Sequence, residues 1–227
     1  MKNVLFLITL SLISFSSLKS QNKPLLGSGK PTILKYTKSG YDKINLMDFE
    51  GNIDIKIGKP HQVTIQIDDN IAQLVTFYLD EEENELSISI RDNKNGRLYL
   101  ENINSNITIT LPEASVIKHR GNSNVIVEGI VGRYFRLEQQ GNGDVKLAGS
   151  IDELEITKTG NGGVFAEKLI SKTANINSLG NGNVSIYADT SFSAKGAGNG
   201  NIVQFGKGKS TVFSSIIGNG RILFRTL

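Results

Sequence analysis

The chain has 227 residues, 38% hydrophobic and 21% charged, which is apolar enough for one large domain or two small ones and excludes a disordered chain. It has no cysteine, so a disulfide framework, a thiol nucleophile and a lipidated N-terminal cysteine are excluded. With 25 Lys and Arg against 22 Asp and Glu, no basic run and few aromatics among the basic residues, it lacks the footprint of a nucleic-acid binder.

The first element in chain order reads as a signal peptide over residues 1–20. Lys2 supplies the positive start, Val4 to Phe15 is an uncharged apolar run, and the small residues Ser16, Ser17 and Ser20 follow. The run is shorter than the roughly 20 residues a spanning helix needs, which favours cleavage over an uncleaved anchor. Losing Lys2 and Lys19 with the leader takes the net charge from +3 to +1. The expected location is therefore exported: periplasm, outer-membrane surface or secreted.

Residues 21–40 carry Pro24, Gly27, Gly29 and Pro31 and are expected to form a flexible lead-in. From Tyr41 onward the chain shows short β-rich runs: Ile44 to Phe49, Ile53 to Ile57, Val63 to Ile67, Val75 to Leu79, Leu86 to Ile90, Arg97 to Leu100 and Ile107 to Leu111. No segment has the period of an amphipathic helix. The acidic stretch Asp80 to Glu85 sits where a solvated hairpin tip belongs and is expected to stay in water.

Beyond residue 113 one turn recurs six times, beginning at Gly121, Gly141, Gly160, Gly180, Gly198 and Gly218, a spacing of 18 to 20 residues. Four residues after each first Gly stands a β-branched residue: Val125, Val145, Val164, Val184, Ile202 and Ile222. Two further on stand Val127, Leu147, Ala166, Ile186, Gln204 and Phe224, so only Gln204 breaks the apolar alternation. Four and six residues before the turn the alternation repeats. Strands this short cannot bury an apolar face alone, so equivalent strands of successive coils must stack in parallel, about 4.8 Å apart, around one core.

The expected fold is all-β: a right-handed parallel β-helix, or solenoid, with coils of about 20 residues and Gly-Asn-Gly turns. Residues 41–227 are expected to form a single domain, with irregular coils over 41–112 and regular repeats over 113–227; a small β-sheet packed on a C-terminal β-helix is the alternative. Asn122, Asn142, Asn161, Asn181, Asn199 and Asn219 would lie one above another as a structural turn ladder, their amides bonding along the stack.

The run from Ile44 through Asp48-Phe-Glu-Gly-Asn-Ile, the segment Gln62-Val-Thr-Ile-Gln-Ile-Asp-Asp-Asn and the repeated Gly-Asn-Gly turns together resemble the putative autotransporter adhesin, head GIN domain family. The likeness spans nearly the whole chain after the leader. It implies an exported bacterial protein, particularly of Bacteroidetes, with a right-handed β-helix and no established enzymatic activity. The chain departs from the pattern at Ser123, which replaces the second Gly of the first turn, and at Arg221 in the last.

Parallel β-helices also build polysaccharide lyases and hydrolases, which cluster acids and bases across adjacent coils. Outward positions here bring charges together only at Arg136, Glu138 and Glu155, weak candidates for a surface site, for which a solvated cross-strand ion pair is the simpler account. His61 and His119 lie far apart in the fold and read as surface residues, giving neither a triad nor a zinc site. Asp144 is the one acid among the turns, too few for a calcium roll, and no cofactor is implied.

The function expected is a non-catalytic cell-envelope binding or adhesive module, with a glycan or an envelope or host surface protein as partner. A scaffold that self-associates through open solenoid ends is the alternative, and a polysaccharide-active enzyme the less favoured third.

Overall fold

The computed structural model describes residues 24–91, 100, 101, 103, 105–211 and 214–225. The expected signal peptide lies outside them. In chain order the elements are β1 (Leu25–Leu26), β2 (Pro31–Tyr36), β3 (Lys43–Met47), β4 (Gly51–Ile57), β5 (Gln62–Asp68), the four-residue helix α1 (Asp69–Ala72), β6 (Val75–Asp80) and β7 (Glu85–Ile90). There follow β8 (Leu100–Glu101), β9 (Ser105–Leu111), β10 (Val116–Gly121), β11 (Asn124–Gly141), β12 (Val145–Thr159), β13 (Val164–Leu179), β14 (Val184–Gly198) and four short strands. These are β15 (Ile202–Gln204), β16 (Lys209–Ser210), β17 (Ser215–Gly218) and β18 (Ile222–Phe224).

The C-terminal half is the parallel solenoid that the repeat predicts. Strands β10 to β14 pair in parallel, each with the next, in a register that sets every first Gly of a turn near its equivalent in the coil below. Each coil has three parts. A first side ahead of the turn points Phe135 and Leu137, Leu154 and Ile156, Ala174 and Ile176, or Phe192 and Ala194 inward; a second side after it points in Val125 and Val127, Val145 and Leu147, or Val164 and Ala166. Register shifts then break the pairing between Val127 and Ile130, Lys146 and Ala148, and Ala166 and Ile170, bending the chain into a third side. The inward residues touch one another from coil to coil and are nearly all fully buried. Burying each Val, Ile, Leu or Phe in this way stabilises by roughly 1.5 to 3 kcal/mol, which no single coil could reach alone.

Gln204 breaks the apolar pattern for a reason visible in its contacts. Fully buried, its amide accepts from Ala188 N–H at 3.1 Å and donates to Ala188 C=O at 2.6 Å, so the side chain supplies the two hydrogen bonds that a neighbouring strand would have given.

Residues 41–112 stack in an order that differs from the chain order. Strand β3 lies between β7 and β10, and β4 between β9 and β11, so the coil holding β7 and β9 is laid down after the β3–β4 coil but on its far side. Antiparallel strands close that end: β6 pairs with β7, β5 with β9, and β2 with β5. The stretch expected to be a flexible lead-in thus contains the short β1 and the longer strand β2. Its alternation Thr32-Ile-Leu-Lys-Tyr is a strand pattern hidden by the surrounding Gly and Pro. Pro31 is tolerated as the first residue of an edge strand, and Tyr36 stacks on Phe77 with ring centroids 4.8 Å apart. The acidic stretch is the tip of the β6–β7 hairpin, where Asp80 Oδ1 accepts from the N–H groups of Glu82 and Glu83.

Candidate functional site

The six turn asparagines form a continuous ladder on the outer surface. Each Nδ2 donates to the Oδ1 of its predecessor: Asn142 to Asn122 at 3.0 Å, Asn161 to Asn142 at 3.1 Å, Asn181 to Asn161 at 2.7 Å, Asn199 to Asn181 at 2.8 Å and Asn219 to Asn199 at 2.9 Å. All six are exposed, and each amide still has donor and acceptor capacity directed at solvent. A second ladder runs beside it, two residues further along the turn. Asn124, Asp144, Asn183 and Asn201 each accept, through Oδ1, the backbone N–H of the equivalent residue in the next coil. The sequence reading did not find this ladder, although the Asn and Asp residues in that column were its signal.

A third column, also unanticipated, lies inside the turn. Two residues before Gly121, Gly141, Gly160 and Gly180 stand His119, Gln139, Lys158 and Ser178, in register and buried. His119, expected at the surface, is 1% exposed because this position continues the inward alternation of the first side. Its Nε2 lies 2.8 Å from Ser123 Oγ, so the serine that departs from the Gly-Asn-Gly pattern supplies a polar partner in the core. Burial pushes the His119 pKa down to about 4 and lowers that of Lys158, whose ammonium donates to Gly160 C=O at 2.9 Å. Gln139 donates to Gly143 C=O, while His119 Nδ1 and Gln139 Oε1, on adjacent coils, have no partner.

Arg136, Glu138 and Glu155 lie on the outside of the first side. Arg136 Nη2 pairs with Glu138 Oε1 at 2.7 Å, Arg136 is the register neighbour of Glu155, and Glu155 Oε2 accepts from Tyr134 OH at 2.6 Å. Burial first, then the Glu155 carboxylate, pushes the Tyr134 pKa up to about 12. Each group is thus engaged on an open face with a partner of its own. A shallow depression nearby is lined by Tyr134, Glu155 and Asn175 but reaches neither Arg136 nor Glu138. His61 is remote from these groups, edge-on to Tyr41 with ring centroids 4.5 Å apart.

The outer surface of the second side carries a larger groove, about 550 Å³, where the register shifts bend the coils. Ile126 and Phe165 form its apolar floor, with Lys146, Lys168, Glu128, Glu167 and Asp144 around them. Among the described residues no group of three or more His, Asp or Glu is arranged to hold a metal ion.

The profile of the family described as putative auto-transporter adhesin, head GIN domain, matches residues 40–208. Among solved structures the chain is similar to a putative adhesin from Bacteroides fragilis, with a TM-score of 0.65 and 25% identity over 88% of this chain and 99% of that one. It is also similar, in fold alone, to a putative lipid binding protein from Parabacteroides distasonis, with a TM-score of 0.50 and 18% identity over 89% of this chain and 99% of that one. No curated protein matches it. A match covering most of the chain, on a solenoid whose turns carry the motifs that suggested it, places this protein in the putative auto-transporter adhesin, head GIN domain family.

Proposed function

We propose that the protein is an exported, non-catalytic binding or adhesive module of the cell envelope. The observation that carries this reading is the regular presentation of side chains. Coils held by two turn ladders and a continuous core repeat the same outward positions about every 4.8 Å along a stiff rod. Such a surface can meet an extended ligand at many points, each weak and together strong. Family membership and the leader read from residues 1–20 support the same address, outside the cytoplasm.

The test is solid-phase binding of the purified protein to envelope polysaccharide, outer-membrane fractions and host matrix, with soluble products assayed in the same wells. Saturable binding without release of new reducing ends is the expected result. Retention on none of these materials would remove the adhesive reading, and release of oligosaccharides lost in Glu155→Gln would replace it with an enzymatic one.

A further inference from the structure

The groove on the second side gathers several charges whose side chains do not pair with one another. Lys146, Lys168, Glu128, Glu167 and Asp144 line it; Asp144 Oδ1 accepts from Gly163 N–H, while the side chains of the other four make no ion pair or hydrogen bond among the described residues. Several neighbouring charges elsewhere do pair: Lys118 with Glu85 at 2.6 Å, Arg136 with Glu138 at 2.7 Å and Lys172 with Asp152 at 2.7 Å. Glu167 goes further, since its Oε2 is buried without a partner. A buried acceptor left unmet is destabilising, and a ligand donor at that point would relieve it.

The floor of the groove is fixed by a local break in the repeat. Ile126, Lys146 and Phe165 occupy one outward column on successive coils, continued by Ser185 and Val203, so Phe165 is its one aromatic ring among the described coils. In the same coil the fourth turn position is Gly163, where the other coils have Asn124, Asp144, Asn183, Asn201 and Arg221. A Cβ at Gly163 would stand 2.9 Å from both Cε2 and Cζ of Phe165. The ring therefore rests on bare turn backbone, which is itself pinned where Gly163 N–H donates to Asp144 Oδ1 at 2.7 Å. Departures from a repeat that combine an aromatic seat with unmatched polar groups mark sites built for something other than the fold.

The geometry points to this groove as the binding site for a neutral glycan segment, with Phe165 as the stacking platform, Glu128 and Glu167 accepting from sugar hydroxyls, and Lys146 and Lys168 donating to them. Two cations stand against three carboxylates, one of which, Asp144, is engaged by Gly163 N–H, so the lining has no excess positive charge to attract a polyanion. A sugar ring meets the remaining requirements: its C–H face packs on an aromatic ring, and each hydroxyl both donates and accepts. The volume suits one or two such rings. This inference rests on the adhesive reading and gives its ligand a class and a place.

The experiment is calorimetric or NMR titration of the purified protein with a panel of neutral oligosaccharides built from glucose, galactose and N-acetylhexosamine, beside a sulfated glycan and vesicles of anionic phospholipid. At least one neutral oligosaccharide should bind. Phe165→Ala should weaken it about tenfold or more, Phe165→Tyr should hold it within about twofold, and Glu167→Gln should weaken it several-fold. Both residues are on the outer surface, and an unchanged denaturation midpoint checks that each of the three variants is folded. Preference for the sulfated glycan or the vesicles, or no binding to any neutral oligosaccharide, overturns the ligand class. Envelope binding that survives Phe165→Ala unchanged overturns the groove while leaving the adhesive reading intact, and loss of all envelope and matrix binding by the unaltered protein removes both.

Discussion

His119, Gln139, Lys158 and Ser178 put polar side chains where a solenoid needs apolar ones, and the turn explains how they are tolerated. The Gly-Asn-Gly corner turns backbone carbonyls toward the interior, and Gln139 and Lys158 donate to those of Gly143 and Gly160. His119 makes the arrangement sensitive to pH. Its pKa is about 4 in the fold, against about 6.5 in the unfolded chain. Between those values the unfolded chain takes up a proton that the folded one refuses, so stability is complete above pH 6.5 and falls as the pH drops to 4. The loss is on the order of 3 kcal/mol and grows no further below that. Urea midpoints measured from pH 4 to 8 should show this slope as a difference between the unaltered protein and His119→Gln, a side chain that Gln139 shows the column accepts. A difference independent of pH would place His119 in contact with water. This column was invisible in the sequence because four different residue types fill it, whereas the Asn ladder repeats one. The groove was hidden for a related reason: Phe165 and Gly163 look like ordinary variation until the ring is seen lying on the turn.

At the scale of one coil, the turn works because its first residue can adopt a conformation and a closeness denied to the rest. Gly180 has φ +117°, and a Cβ there would fall well inside contact distance of Gly160 C=O in the coil below. Gly180→Ala should therefore cost about 3 kcal/mol or more, from backbone strain and a clash between coils together. Gly29 also has positive φ, +72°, but nothing lies within 4 Å of the added carbon, so Gly29→Ala isolates the smaller conformational cost. Chemical denaturation of both should separate them by at least about 1 kcal/mol; equal losses would mean that the coils relax apart freely. The regular coils were legible in the sequence because this glycine, the β-branched residue four positions on and the inward alternation recur together. The first coils were only partly legible. Their strands show the right alternation, but the far-side placement of β7 and β9 depends on long-range pairing, and nothing in a local pattern specifies which edge a returning strand joins.

Across the whole molecule, completeness of burial follows position along the rod. Inward residues of the middle coils, such as Val145, Val164, Ile176 and Ile186, are sealed from solvent by a coil on each side. The core-facing side chains that stay partly covered include Leu34, Val75 and Phe77 at one end and Ile216 and Ile222 at the other. In a solenoid each coil is held by its two neighbours, so an end coil loses about half of that support and opens first. At the C-terminal end, β18 pairs among the described residues only with β15, and Phe224, an inward position, is 61% exposed although its ring meets Phe192 edge-on. Amide hydrogen exchange should therefore be fastest in β17 and β18 and slowest in β12 and β13, with protection rising coil by coil between them. Measured at low protein concentration, this gradient reports the rod alone. Measured at high concentration, protection gained only in β17 and β18 would mean that the open edge is covered by a second copy, as expected for a scaffold built through solenoid ends. An unchanged gradient would leave the rod a single unit that meets its ligand through its sides.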